Sequence, residues 1–270
     1  GRIHTWEEFL HTWEMVREAG FTNVNIDLMS ALPGQTVETY AETLKKVLVL
    51  KPEHISAYSL IVEEGTLFHD WFGEDGERQE ELPDEATDRH MYEMTEQKLE
   101  EKGYYRYEIS NYALPGFECK HNVGYWKRKE YLGLGLGSAS LLFQESADGL
   151  CKNIRCSNVS DLGCYLNIGM EQDMFGEFIH DENMWTAEQT KLTQKDQMEE
   201  FMFLGLRMME GISEEEFEKQ FGKSLQEVYG KKIEKLEKQG LLERKENSGR
   251  YALTPKGIDV SNQVFVEFLF

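Results

Sequence analysis

The sequence predicts an α/β fold built of parallel strands and crossover helices, followed by a small winged-helix-like α+β domain. Three observations carry this. From residue 5 to about residue 113 the pattern runs helix, strand, helix, strand, helix, strand, the order expected of parallel strands linked by helices. Residues 116–185 are rich in glycine and aromatic residues. From Thr186 the texture changes to helices, a two-stranded hairpin and a last helix. The expected segments are therefore 1–115, 116–185 and 186–270.

The first helix is announced by Thr5-x-x-Glu8, a capping box, with Trp6, Phe9, Leu10, Trp13 and Val16 at helical spacing until Gly20. Val24, Ile26 and Leu28 alternate as a strand. Thr36 opens a helix whose apolar stripe is Val37, Tyr40, Ala41, Leu44, Val47 and Leu48, and Pro52 closes it. ISAYSLIV at 55–62 reads as the second strand. An acidic loop precedes a helix from Asp84 to Lys102, ended by Gly103, and YYRYEISNYA reads as the third strand. A sheet of three parallel strands that begins with a helix is incomplete by the usual covering rule, so the expectation is that the front of the domain is missing.

In the middle segment, EYLGLGLGSASLLF reads as a tight strand or turn in which backbones approach closely. Further on come a helix at 194–209, the capping box and staple Ile212-Ser213-x-x-Glu216-Phe217, and the capping box Ser224-x-x-Glu227. A hairpin turns around Asn247-Ser248-Gly249, and a helix starts at Pro255.

Composition narrows the function classes. No run approaches the 18 apolar residues of a membrane span, and the first residues, GRIHTWEEFL, do not form a signal peptide; a cytoplasmic protein is expected. Cys119, Cys151, Cys156 and Cys164 are too few for a disulfide scaffold, and the last three have a C-x4-C-x7-C spacing that matches no zinc or iron-sulfur pattern. The net charge is −21, and residues 186–270 hold 13 basic and 16 acidic side chains, so most of the excess lies in 1–185. Phosphate polyanions are repelled there. The acidic run at 70–101 reads as a solvated face. In the winged-helix segment, Lys231, Lys232, Lys235 and Lys238 alternate with Glu227, Glu234 and Glu237, which cancels most of the field a nucleic acid would need. A DNA-binding regulator is the weakest reading.

Asp27 is the most informative single residue. It lies near the carboxyl end of the first strand, where α/β folds place ligands, and on the face opposite Ile26 and Leu28. If buried, its carboxylate needs donors. A ligand amine or hydroxyl, a nearby arginine, or backbone N–H groups of the Pro33-Gly34 turn would each serve.

Six stretches taken together go further. GRIH, NIDLMSALPGQT, HISAYSLIVEEGT, YEISNYALPGFECKHNVGYW, EYLGLGLGSAS and LTPKGIDVSNQVFVEFL resemble, in order and spacing, the back part of the radical S-adenosylmethionine (SAM) family of oxygen-independent coproporphyrinogen III oxidases, its heme-chaperone branch above all. The resemblance implies the C-terminal part of a partial (β/α) TIM-like barrel followed by the family's C-terminal domain. It also implies a [4Fe-4S] cluster and SAM in the intact protein. The CxxxCxxC motif that holds the cluster does not occur in this sequence, so this chain alone is expected to be inactive as an enzyme.

Residue by residue, the resemblance makes Arg2, Asp27, Ala57 and Ala139 SAM contacts. At Ser30-Ala31 the family often has an aromatic followed by glycine, and alanine tolerates positive φ less well. HNVGYW at 121–126 resembles the family's heme-binding stretch, with His121 as iron ligand and Tyr125 and Trp126 packing on the macrocycle; the alternative is that this aromatic cluster is core. Cys119 is a second candidate ligand. The function implied is heme binding and transfer to acceptor proteins, with oxidative decarboxylation of coproporphyrinogen III to protoporphyrinogen IX as the alternative.

Overall fold

The computed structural model describes residues 4–145, 151–167, 185–246 and 248–270. The chain divides into two compact units, Gly1–Cys119 and Lys120–Phe270.

In the first unit, α1 (Trp6–Glu18) starts at a reciprocal capping box: the Glu8 N–H donates to the Thr5 hydroxyl and the Thr5 N–H to the Glu8 carboxylate. Next come β1 (Asn25–Ser30), α2 (Val37–Leu50) and β2 (His54–Ser59). Thr36 caps α2, with Thr39 returning the bond. Within the acidic stretch, Thr66 caps a short helix, α3 (Leu67–Phe72), that the sequence pattern did not reveal. Asp84 then caps α4 (Glu85–Glu100).

The run YYRYEISNYA departs from expectation. It is a hairpin, β3 (Tyr105–Glu108) and β4 (Asn111–Ala113), instead of one parallel strand. The sheet order is β1-β2-β4-β3; β1 is parallel to β2, and β4 is antiparallel to both β2 and β3. The reversal uses neither glycine nor proline. Instead, the Glu108 carboxylate accepts the Ser110 N–H at 2.9 Å and the Asn111 side-chain amide, which closes the turn with a side chain.

Helices cover one face of this sheet. Ile26, Leu28 and Ile55 pack with Leu44, Val47, Leu99 and Tyr104, with Phe9 and Trp13 of α1 alongside; each fully buried aliphatic side chain contributes about 1.5–3 kcal/mol. On the other face stand Asn25, Asp27 and Met29 of β1 beside His54, Ser56 and Tyr58 of β2. Beyond β1, Ala31 has φ 58°. Alanine therefore takes the left-handed conformation that a glycine would take without strain, at a cost of about 1–2 kcal/mol.

The second unit opens with α5 (Lys120–Trp126). Next come β5 (Ala139–Glu145), β6 (Cys151–Asn158), α6 (Leu162–Asn167) and β7 (Thr186–Lys191). The three strands form an antiparallel sheet in the order β5-β6-β7. Of these, only β5 had a clear sequence signal. Ahead of it, the glycine-rich turn brings backbones together as expected: a Cβ on Gly133 would lie 2.1 Å from the Ala139 carbonyl oxygen.

A winged-helix arrangement completes the unit. It comprises α7 (Gln194–Gly205), β8 (Ile212–Ser213), α8 (Glu214–Phe221), α9 (Leu225–Lys238), β9 (Leu242–Lys245), β10 (Arg250–Leu253), α10 (Pro255–Asp259) and α11 (Ser261–Glu267). The wing sheet has the order β8-β10-β9, and Asn247 in its turn lies outside the described residues. Ile212 and Phe217, the staple pair, share a core with Phe221, Tyr229, Ile233 and Phe268. Three lysines of α9 are held by the chain itself: Lys232 donates to the Leu269 carbonyl, Lys235 pairs with Glu267 and Lys238 with Glu234. Those contacts compete with any phosphate for the same ammonium groups.

Candidate functional site

The bare face of the first sheet carries a directed chain of hydrogen bonds. Asn25 Oδ1 can only accept, so His54 Nδ1 donates to it at 2.7 Å. The neutral ring then accepts at Nε2 from the Tyr107 hydroxyl, 2.9 Å away, and that oxygen accepts the Cys119 N–H at 3.3 Å. Ser56 also donates to Asn25 Oδ1 at 3.2 Å. The Asn25 amide donates to Asp27 Oδ1 at 2.7 Å. This chain, which ends on Asp27, sets the position of its carboxylate.

Asp27 is exposed, so the case for buried donors does not apply to it. Turn N–H groups do not satisfy it either: Gly34 N–H donates to the Glu81 carbonyl and Gln35 N–H to the Leu32 carbonyl. Its carboxylate is oriented and keeps accepting capacity toward solvent. The register also extends a polar row from Asp27 through Ser56 and Asn111 to Glu108. Glu108 and Asn111 are buried, and neither was singled out from sequence. The clue was that Glu108, Ser110 and Asn111 cluster between the tyrosines of the run, where the chain reverses.

Burial lowers the His54 pKa below 6.5, against the opposing pull of Asp27 and Glu118. Below about pH 6.5 the unfolded chain binds this proton more readily than the folded one, so stability rises with pH through that range and falls on acidification. Urea unfolding at pH 7.5, 6.5 and 5.5 should show a midpoint that drops with pH. In His54→Gln the drop between 6.5 and 5.5 should be smaller; an equal drop would remove His54 as its source.

The other residues singled out from sequence are distributed as follows. Arg2 lies outside the described residues. Ala57 pairs with Leu28 and packs against the helix-side core, on the face opposite Asp27, so the sheet does not bring these two side chains together. Ala139 opens β5 in the second unit and is exposed.

His121 and Tyr125, four residues apart on α5, share a helix face and meet edge to face at 4.6 Å; Tyr131 meets Tyr125 in the same way. His121 is exposed, and among the described residues neither of its ring nitrogens is hydrogen-bonded. Trp126, one residue further round the helix, leaves this face. The Arg207 guanidinium lies 4.3 Å over its ring, and it lines a separate cavity of about 490 Å³ with Phe201, Met208 and Ile212.

Arg128 anchors the segment after α5. It is buried at φ 52°, and its Nε donates to Glu200 of α7 at 3.0 Å, while Arg155 of β6 reaches the other carboxylate oxygen at 2.9 Å. Burial pulls the Arg128 pKa down and the Glu200 charge opposes it.

A family model described as the HemN C-terminal domain matches residues 192–260. The heme chaperone HemW of Lactococcus lactis subsp. lactis is 37% identical over 273 residues, an alignment that takes in 100% of this chain and 64% of the relative. The heme chaperone HemW of Bacillus subtilis is 34% identical over 269 residues, covering 100% of this chain and 65% of the relative. Together these matches support the radical SAM, HemW-like family for this chain. The chain spans about two thirds of the length of those relatives.

Among solved structures, the coproporphyrinogen III oxidase (HemN) from Escherichia coli, a radical SAM enzyme, superposes with a TM-score of 0.71 at 21% identity, over 98% of this chain and 59% of that one. This shows the fold. The first sheet accordingly forms part of a partial α/β fold like that of this structure, with Asp27 on the face that the helices do not cover.

The radical SAM family implies SAM and a [4Fe-4S] cluster. Residues of this chain do not fit the cluster: no CxxxCxxC occurs in the sequence, and among the described residues no three of His, Cys, Asp and Glu gather as a metal site. Asp27 does fit a polar cofactor group, because it is a charged acceptor held in place by Asn25. Of the thiols, Cys119 and Cys156 are half-buried and Cys164 is exposed, all three free.

Proposed function

We propose that this protein binds heme and passes it to heme-acceptor proteins in the cytoplasm. The observation that carries the reading is His121. Its imidazole is exposed and unengaged, and it is braced by the edge of Tyr125, so one ring nitrogen is available as an iron ligand while Tyr125 and Tyr131 offer aromatic surface beside it. Trp126 would act through α5, whose packing it secures under Arg207. Cys119 is the alternative ligand. Relatives sharing 34–37% of the sequence are named heme chaperones, which supports this reading over coproporphyrinogen III decarboxylation, for which the likeness is one of fold at 21% identity. Among the described residues no helix is long and apolar enough to cross a membrane.

SAM, when bound, supplies an adenosyl group and a methionine moiety. In this reading Asp27 holds a donor group of SAM; Ala57, whose side chain packs against the helix-side core, does not join it. His54 and Asn25 act one step back, keeping the Asp27 carboxylate in one orientation.

Heme titration tests the proposal. The wild-type chain should give a shifted, saturable Soret band, and His121→Ala should weaken binding at least tenfold. An unchanged Soret band in His121→Ala would reject His121 as ligand.

A further inference from the structure

We propose that the groove between α2 and α4 is a ligand site in its own right, for an apolar molecule that carries carboxylates. It encloses about 790 Å³, within the ~300–1,000 Å³ of small-molecule pockets. Leu44, Leu48, Met94, Tyr104 and Leu114 form its floor, and Val49, 71% exposed, stands at its edge. Its rim is basic: Lys45, Lys51, Lys98 and Lys102, against Glu101 alone.

That rim does not follow from composition. Residues 1–119 contain 25 acidic side chains and only five lysines, yet four of the five ring this groove. Solvating lysines on a helix ordinarily sit beside carboxylates three or four residues away. Lys98 does, with Glu101 at 2.9 Å, but among the described residues Lys45, Lys51 and Lys102 have no carboxylate within ion-pair distance. The fifth lysine, Lys46, lies over the Trp6 ring, 5.5 Å from its centroid, and does not line the groove. In a chain of net charge −21, long-range fields repel anions, so a carboxylate is held only where local ammonium groups and apolar burial act together.

The groove opens beside the last turn of α2 and Leu114, where β2 begins and β4 ends. Ligands of α/β sheets usually sit at the opposite, carboxyl ends of parallel strands, so this is no extension of the Asp27 face. Its lining contains neither histidine nor cysteine. The ligand is therefore gripped by charge and apolar contact, without an iron bond, and the site is independent of His121.

The test is fluorescence titration of the whole chain with two probes: mesoporphyrin IX, an iron-free dicarboxylate macrocycle, and cis-parinaric acid, a linear fatty carboxylate. At least one should bind saturably, and which one does identifies the shape of the ligand. Lys45→Glu combined with Lys102→Glu, both exposed positions, should weaken that binding at least tenfold. Lys46→Glu and His121→Ala should leave it within twofold. Failure of both probes to bind, equal binding by the double variant, or an equal loss in Lys46→Glu would overturn the proposal. Loss only in His121→Ala would assign the binding to α5 and overturn it as well.

Discussion

Glu200→Ala is expected to destabilise the second unit by about 3–5 kcal/mol, the usual cost of removing one partner from a buried ion pair. Glu200 is 5% exposed and Arg128 likewise, and the 3.0 Å contact between them joins α7 to the segment after α5. Without the carboxylate, the Arg128 guanidinium stays buried with no counter-charge. Two of its nitrogens, Nη1 and Nη2, already have no partner among the described residues. Arg155 contributes less to the cost, because its side chain is 42% exposed and water can replace the anion there. Urea unfolding checks the figure. Glu200→Gln, which keeps an acceptor but not the charge, should fall between wild type and alanine. A loss below about 1 kcal/mol in Glu200→Ala would mean that the pair is no better than a surface bridge. The same variant should loosen the position of His121, since Arg128 follows α5 by two residues.

The second large effect is expected for Gly211→Ala, which should cost about 2–5 kcal/mol. Gly211 has φ 72°, and a Cβ there would lie 2.0 Å from the Tyr251 carbonyl oxygen. The left-handed backbone accounts for about 1–2 kcal/mol with alanine. Overpacking against β10 adds about 1–3 kcal/mol, because the obstacle is backbone that cannot rotate away. Gly222 supplies the control: its φ is 67° but nothing lies within 4 Å of its Cβ position, so Gly222→Ala should show the backbone cost alone. Equal losses in the two variants would show that the close approach of β10 carries no energy of its own.

How much of this was legible beforehand depended on the range of the signal. The caps at Thr5, Thr36, Asp84 and Ser224 bond to groups three residues on, so their side chains and spacing announce the helix starts. The winged-helix stretch was equally local, with its staple, its hairpin and Pro255. By contrast, the hairpin inside YYRYEISNYA had no glycine or proline to mark it, and β6 and β7 are polar strands whose pairing residues lie far apart in the chain. Glu200 read as one more acidic residue on a helix surface, because its partners are 72 and 45 residues away.

By itself, the sequence determined the α/β and winged-helix classes, the family motifs and the face on which Asp27 stands, since each follows from periodicity or from short-range bonding. Only the tertiary structure decided that β4 runs antiparallel to β2, that Asn25 and His54 orient an exposed Asp27, that Trp126 turns away from His121, and that four scattered lysines ring one apolar groove. The physical reason is that these arrangements depend on register and burial, which arise when distant segments pack and leave no periodic trace in the order of residues.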